Sequence, residues 1–440
     1  MRFPARPRPA RPRPPAPPSP AERPPLSPAE VRRGLRCSTI EGALANVHIS
    51  ITTGAFVTGF ALLLGARDFE LGVMGALPFL GQLFQFIGAY LEERWGTRKQ
   101  MVLYSALVSR CLWAIIAALP FMRWLGAGQL LAFLVVLGAS QAVMGISSNA
   151  WTSWMSDLVP PRERGRYFGV RNTVAAVSVM LSTWLAGMAL DHFRGAGSEP
   201  LGYTVIFSVA VVFAIIAGCV LTLQPEPPMQ RRAEQLRVGN LFSAPLRHAR
   251  FRSFTLAATG WAVATGVASS FFNAYGLQNL HVSYQTLALF GIATSAVNLF
   301  TQPYIGQLQD KFGDKTVLII SVLGTVALPW GWVFSTPDFL LPVWLTSIFS
   351  GVFWPGINQG LMNLLMDRAP AEGRGAYVAA FGAVNGAGTF AASLLGGVLA
   401  TALSGTVLHL GGLEIGHYAV LFVISSVGRL AMAWVFSRAL

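Results

Sequence analysis

The chain has 440 residues, of which 53% are hydrophobic and only 12% charged, with a mean hydropathy of +0.53. A soluble protein carries about 25% charged residues, so this composition excludes an ordinary water-soluble enzyme and makes the bilayer the solvent. The net charge of +13 comes almost wholly from Arg in the tail and loops; with no aromatic-plus-basic module beside it, it points to membrane topology and not to a nucleic-acid partner.

Residues 1–36 are dense in Pro and Arg, as in Ala5-Arg-Pro-Arg-Pro-Ala-Arg-Pro-Arg-Pro14. Such a stretch cannot bury a core, and a disordered cytoplasmic tail is expected. It holds no apolar run of the kind a secretory signal needs. Twelve apolar segments follow, over 42–65, 70–91, 101–122, 128–152, 168–190, 203–223, 252–275, 283–306, 316–335, 339–364, 376–403 and 416–437. About 20 residues suffice to cross about 30 Å of hydrocarbon as a helix. Helices are expected because a segment in lipid must satisfy its own backbone.

The one long polar stretch in the interior, 224–250, separates segments six and seven. It predicts two six-helix bundles, 37–223 and 251–440, joined by a cytoplasmic linker. With the N-terminus inside, one set of loops holds Arg94, Arg98, Lys99, Arg162, Arg164, Arg166 and the linker arginines, while the opposite loops hold only Arg67, Arg123 and Arg194. That asymmetry predicts both termini in the cytoplasm and a multi-pass protein of the cytoplasmic membrane. Cys37, Cys111 and Cys219 are far apart and lack metal-ligand spacing, so no metal and no cofactor is expected. No nucleotide loop, zinc-protease motif or nucleophile elbow is present, which argues against an enzyme.

The halves repeat each other. Asp157-Leu-Val-Pro-Pro-Arg-Glu-Arg-Gly-Arg-Tyr167 returns 210 residues later as Asp367-Arg-Ala-Pro-Ala-Glu-Gly-Arg-Gly-Ala-Tyr377, aligning Arg164 with Arg374 and Gly165 with Gly375. After segment eight the chain reads Gly306-Gln-Leu-Gln-Asp310-Lys311-Phe-Gly313-Asp-Lys315. After segment two it reads Ala89-Tyr-Leu-Glu-Glu93-Arg94-Trp-Gly96-Thr-Arg98. Two copies of an acid-base-x-Gly-x-base loop at corresponding places, in a chain of twelve segments, resemble the signature loops of the major facilitator superfamily. The resemblance covers about residues 38–440.

The resemblance implies an all-α bundle of twelve transmembrane helices in two pseudo-symmetric halves. It implies transport of a small solute by rocking of the halves about a midplane site, with loop residues Glu93, Arg94, Asp310, Lys311 and Lys315 latching the cytoplasmic side. It also implies that segments one, four, seven and ten line the cavity. Their polar faces then nominate His48, Thr52 and Phe56; Gln141, Met144 and Ser148; Trp261 and Thr265; and Trp354 and Asn358. A wall of amide, hydroxyl and aromatic groups suits a sugar-like or amphipathic solute. A pigment-delivery or assembly factor, or a lipophile carrier with no transport cycle, is the alternative.

Ionisable groups deep in a membrane are costly and usually functional. Arg110 in segment three and His48 in segment one are the coupling candidates, with H⁺ or Na⁺ as the ion. Every acid falls at a segment end or in a loop, Glu41 at the start of segment one and Asp191 at the end of segment five coming nearest. The expected partners are therefore a small molecule and the lipid bilayer, and the expected state is a monomer.

Overall fold

The computed structural model describes residues 26–95, 97–228, 245, 247–370, 374–406, 408–410 and 413–439. Twelve helical spans run through them: α1 (Pro28–Ile51, resumed at Gly54–Leu63), α2 (Asp68–Trp95), α3 (Arg98–Ala118), α4 (Gly128–Leu158), α5 (Arg164–Gly195) and α6 (Glu199–Thr222). The second half repeats them as α7 (Ala249–Ser269, resumed at Phe271–Gln278), α8 (Tyr284–Phe312), α9 (Asp314–Val326, resumed at Leu328–Val333), α10 (Leu341–Arg368), α11 (Arg374–Ala402) and α12 (His417–Ala439). A small hairpin, β1 (Leu408–Leu410) on β2 (Leu413–Ile415), precedes α12. Apolar side chains such as Leu131, Val177, Phe300, Ile320 and Val427 face outward, as expected where the surrounding medium is lipid. The chain is a multi-pass membrane protein.

One boundary differs from the sequence reading and matters below. Helix α1 begins at Pro28, well before position 42. Local chemistry sets that start. The Ser27 hydroxyl accepts the Glu30 N–H, the Glu30 carboxylate accepts the Ser27 N–H at 2.8 Å, and Pro28 occupies the first helical position. A reciprocal cap with Pro behind it nucleates a helix whatever the hydropathy that follows. The rest of the Pro/Arg tail, 1–25, lies outside the described residues, as do linker residues 229–244 and 246 and signature-loop residue Gly96.

Helices α1 and α7 are both broken. The first stops at Thr52 and Thr53, whose hydroxyls turn back onto the carbonyls of His48 and Ile49, and restarts at Gly54 with φ +64°. The second breaks at Ser270. Positions 53 and 270 differ by 217, the same offset that relates Glu93 to Asp310. The repeat therefore extends from loop motifs to the places where helices interrupt.

Prolines inside helices leave a carbonyl without its donor. Pro355 in α10 frees the carbonyl of Gly351, and the Thr301 hydroxyl of α8 donates to it at 2.8 Å. Thr294 of α8 donates likewise to Ser347 O at 2.9 Å. Thr301→Val keeps the shape and removes the donor, so it is expected to cost about 1–2 kcal/mol. An unfolding midpoint in mild detergent reads this, and an unchanged midpoint would mean that the carbonyl has another partner.

The apolar core explains how the halves sit. One cluster runs across both halves, joining Phe56, Phe60, Tyr203 and Phe207 of the first to Phe271, Tyr275, Tyr284 and Phe422 of the second. Two further clusters are each confined to one half: Met101, Trp154 and Leu158 in the first, Phe251, Leu318 and Phe436 in the second. The core is thus continuous at one end, here the far end, and split at the other, the basic end that carries the signature loops. The halves meet along α2 against α11 and α5 against α8. Contact there is at backbone distance: a Cβ on Gly72 would lie 2.6 Å from the Gly397 Cα, which is why small residues occupy both positions.

Candidate functional site

A cavity of about 420 Å³ lies between the shared core and the second half's own cluster. Leu287 and Phe290 of α8 border it on the first side and Trp354 of α10 on the second. Phe79 of α2 reaches it from the first half. Such a volume is at the lower end of the range of ligand clefts, about 300–1,000 Å³. Helix α7 presents Thr265, Ser269 and Asn273 at i, i+4, i+8, one face of the helix. Helix α10 adds Thr346, Ser347 and Ser350, α11 adds Thr389, and α12 adds Arg429.

Most of these hydroxyls already donate. Thr265 gives its proton to Trp261 O, Ser269 to Gly266 O and Thr389 to Asn385 O. What they keep for a ligand is lone pairs. The lining therefore offers acceptors to hydroxyl donors, indole and phenyl faces for stacking, and one guanidinium. Such groups can stack on a ring and accept hydrogen bonds from hydroxyl donors.

Of the ten wall candidates, Thr265 and Trp354 border this cavity. Trp261 lies behind it, buried, with its ring 6.0 Å from that of Trp354. His48 does not face it. Its Nδ1 is 3.2 Å from Ala210 O in α6 and its ring meets Trp113 edge-on, so it is packed inside the first half. Thr52 is used up in the break of α1. Phe56 stacks on Tyr284 in the closed far end, centroids 6.4 Å apart. Gln141 and Met144 are half-buried away from the cavity, and Ser148 and Asn358 are exposed. Thr265 and Trp354 thus share this cavity, and the other candidates of these stripes lie outside its lining.

The acids require a correction. Glu41 is not at a segment end. With α1 starting at Pro28, it lies thirteen residues into the helix and is buried. Arg110 of α3 approaches one carboxylate oxygen at 3.6 Å and Arg171 of α5 the other at 4.0 Å. The Arg171 guanidinium also lies over Trp151, 4.6 Å from its centroid. Arg110 is thus held by an acid that hydropathy had placed elsewhere. The signal that would have found it is the Ser27-Pro28-Ala29-Glu30 capping box.

At the basic end the loop motifs do meet within a half. Arg98, almost wholly buried, forms an ion pair with Asp157 and donates to Ser153 O and Pro227 O at 3.2 Å each. Arg164 donates to Ser156 O at 2.7 Å. In the second half the Lys315 ammonium donates to Ser437 O at 2.9 Å, and Asp314 accepts from Asn363 at 2.8 Å. Asp310, Lys311, Gly313 and Asp367 are exposed, Lys311 lying over Phe312. Gly306 sits 3.9 Å, measured from where a Cβ would be, from Gln359. Arg374 and Gly375 form the first turn of α11, and Glu93 and Arg94 the last turn of α2; the side chains of Arg374, Glu93 and Arg94 lie outside what the structure describes.

At the far end, by contrast, the halves are bonded to each other. Both oxygens of Asp191, at the end of α5, accept backbone N–H groups at the start of α8: Tyr284 at 2.9 Å and Gln285 at 2.8 Å. The Tyr203 hydroxyl donates to that of Tyr284 at 2.7 Å, which donates to Glu199 at 2.9 Å. On the other flank, Tyr418 donates to Asp68 at 2.6 Å and His417 is 3.3 Å from the same carboxylate. These hydrogen bonds and the His417–Asp68 contact join the halves at this end.

The sequence model of the Major Facilitator Superfamily matches residues 42–393, and again 277–439. The facilitated glucose transporter member 10 of solute carrier family 2 from Xenopus laevis, and its counterpart from Xenopus tropicalis, are each 25% identical over 194 residues. That stretch is 43% of this chain and only 32% of either relative's length. Among solved structures, a mutant of the nucleoside transporter NupG superposes with TM-score 0.73 at 13% identity, over 92% of this chain and 99% of that one. A bacterial homolog of the human lysosomal transporter Spinster, inward-facing and occupied, gives 0.71 at 15% identity, over 94% and 97%. A D-xylose-proton symporter gives 0.69 at 16%, over 92% and 97%. At such identities these structures establish the shared fold.

Proposed function

The chain belongs to the Major Facilitator Superfamily, and on that premise we propose that it is a secondary transporter. It moves a small polyhydroxylated solute by alternating access of residues 37–223 and 251–440, through the cavity that the second half lines and that Phe79 of the first half reaches. The observation that carries this reading is the unequal core, continuous at the far end and split at the basic end, with a cavity of mixed apolar and hydroxyl lining beside the shared core. A device that binds a solute from one side and releases it to the other needs one end closed while the other is parted. The Arg-rich loops orient the basic end to the cytoplasm, which makes this form open inward in the cytoplasmic membrane, with both termini inside. The exposed Asp310 and Lys311 are then the unlatched half of a cytoplasmic latch, to be engaged when that end closes.

The glucose and xylose transporters among the similar proteins support a sugar-like solute, and NupG supports a nucleoside as the neighbouring choice. The hydroxyls, the amide and the guanidinium set among the apolar side chains of the lining favour a solute with polar groups over the cargo of a lipophile carrier or a pigment-assembly factor. For coupling, the Glu41–Arg110–Arg171 cluster replaces His48. A carboxylate that shares two guanidiniums in a dry site changes the local charge when it gains a proton, and it links α1, α3 and α5, three helices of one half.

Ligand-induced stabilisation tests the site. A ligand at about 100 times its Kd adds about 2.7 kcal/mol to the folded state, and a panel of sugars and nucleosides should contain one class that does so. Trp354→Ala is expected to weaken that ligand about tenfold or more through lost stacking area, whereas Asn358→Ala should change it little. Equal loss in both, or in neither, would mean that the solute sits elsewhere.

A further inference from the structure

Arg429 lies twelve residues into α12, in the middle of an apolar run, and is only 4% exposed. Nε donates to Ser425 Oγ at 3.3 Å and Nη1 to Thr325 O at 2.8 Å. The second bond has a local reason. Pro329 has no N–H to offer the carbonyl four residues before it, and that carbonyl is Thr325. A hydroxyl would have met that need, as Thr301 does for Gly351. A guanidinium brings a charge as well, and among the described residues no carboxylate pairs with it. None of the residues lining the cavity is acidic, Arg429 borders that cavity, and Nη2 makes no hydrogen bond. The Trp261 face, 6.0 Å from the guanidinium carbon, is its other neighbour.

An unpaired cation in a low-dielectric site is unfavourable until something anionic joins it. In the same lining Asn273 and Ser350 have no hydrogen-bond partner among the described residues, and the remaining hydroxyls present lone pairs. We propose that the solute is a sugar acid: a chain or ring of hydroxyl groups bearing one carboxylate, which Arg429 receives through Nη2. The hydroxyls of the ligand donate to Thr265, Ser269 and Thr389. This rests on the reading of the cavity as the transport site, and it narrows that reading from neutral sugars to their acids. Arg429 is then the residue that sets the preference for an anion.

The test compares neutral sugars with their acids on the full-length protein in detergent: glucose with gluconate and glucuronate, galactose with galactonate and galacturonate. Binding is read by ligand-induced stabilisation and by titration. The acid of at least one pair should bind about tenfold or more tightly than its neutral parent, the scale of a charge-assisted hydrogen bond. Arg429→Gln should erase that preference, the acid then binding no more tightly than its neutral parent. Because Arg429 also holds Thr325, Arg429→Lys serves as a second variant that keeps the charge, and it should retain part of the preference. A neutral sugar that binds as well as its acid in the wild-type protein would overturn the proposal while leaving the cavity a sugar site. A preference for the acid that survives Arg429→Gln would overturn the assignment to Arg429. Stabilisation by nucleosides alone, with no response to any sugar or acid, would sink the proposal and the sugar-like reading together.

Discussion

Asp191→Asn is expected to open the far end. The carboxylate caps two N–H groups of α8 from the other half, so this interaction exists only while that end is closed. A negative charge at a helix N-terminus adds about 0.3–1 kcal/mol, and charge-assisted bonds are about twice as strong as neutral ones. The amide keeps the shape, loses the charge and can accept through only one atom. A shift of about 1.4 kcal/mol is a tenfold change in the open fraction. A single cysteine at Ser269, in a background with Cys37, Cys111 and Cys219 changed to Ser, reports it. An impermeant maleimide applied to the far side should label the cavity about tenfold faster in Asp191→Asn than in the parent. Equal rates would show that the cap does not hold the closed state, and the weight would fall on the Tyr203–Tyr284–Glu199 chain instead.

Glu41→Gln is expected to be the most destabilising of the charge substitutions within the bundle. It leaves Arg110 and Arg171 buried together with no counter-charge. Breaking a buried pair by removing one partner costs about 3–5 kcal/mol. Arg110→Met should cost less, because the carboxylate retains Arg171 at 4.0 Å. The ordering is what the arrangement dictates, since one acid serves two bases. Unfolding midpoints of the two variants in the same detergent check it. If Arg110→Met proved the more damaging, Arg171 would be no real partner of Glu41. If Glu41 is also the group that takes up the coupling proton, Glu41→Gln protein that remains folded should exchange solute between two pools while losing uphill accumulation.

The twelve spans, the two halves and the pairing of loop motifs were legible because each rests on local sequence: length of apolar runs, charge placement and a repeated motif. Trp354 and Thr265, nominated as polar-face residues of segments ten and seven, both border the cavity. Glu41 was misread because hydropathy sees where lipid begins and not where a helix begins; the capping box at Ser27 decides the latter. His48 meets the Ala210 carbonyl of a neighbouring helix, a partner 162 residues away that spacing along its own helix does not convey. Arg429 went unread although its signal was present: a lone Arg in an apolar run with no acid on its own helix face. Asp191 was read as an acid at the end of segment five, but its partners belong to the start of α8, 93 and 94 residues away, which no local pattern conveys.

The account stands most directly on whether the protein carries a solute. Purified protein in sealed vesicles preloaded with an unlabelled sugar acid should concentrate a trace of the labelled compound by counterflow, saturably, and Trp354→Ala should abolish most of it. That outcome requires a cavity reached from both sides in turn. Folded wild-type protein that binds its ligand, yet exchanges no sugar, sugar acid or nucleoside across the vesicle membrane, would contradict transport and leave a binding or assembly role.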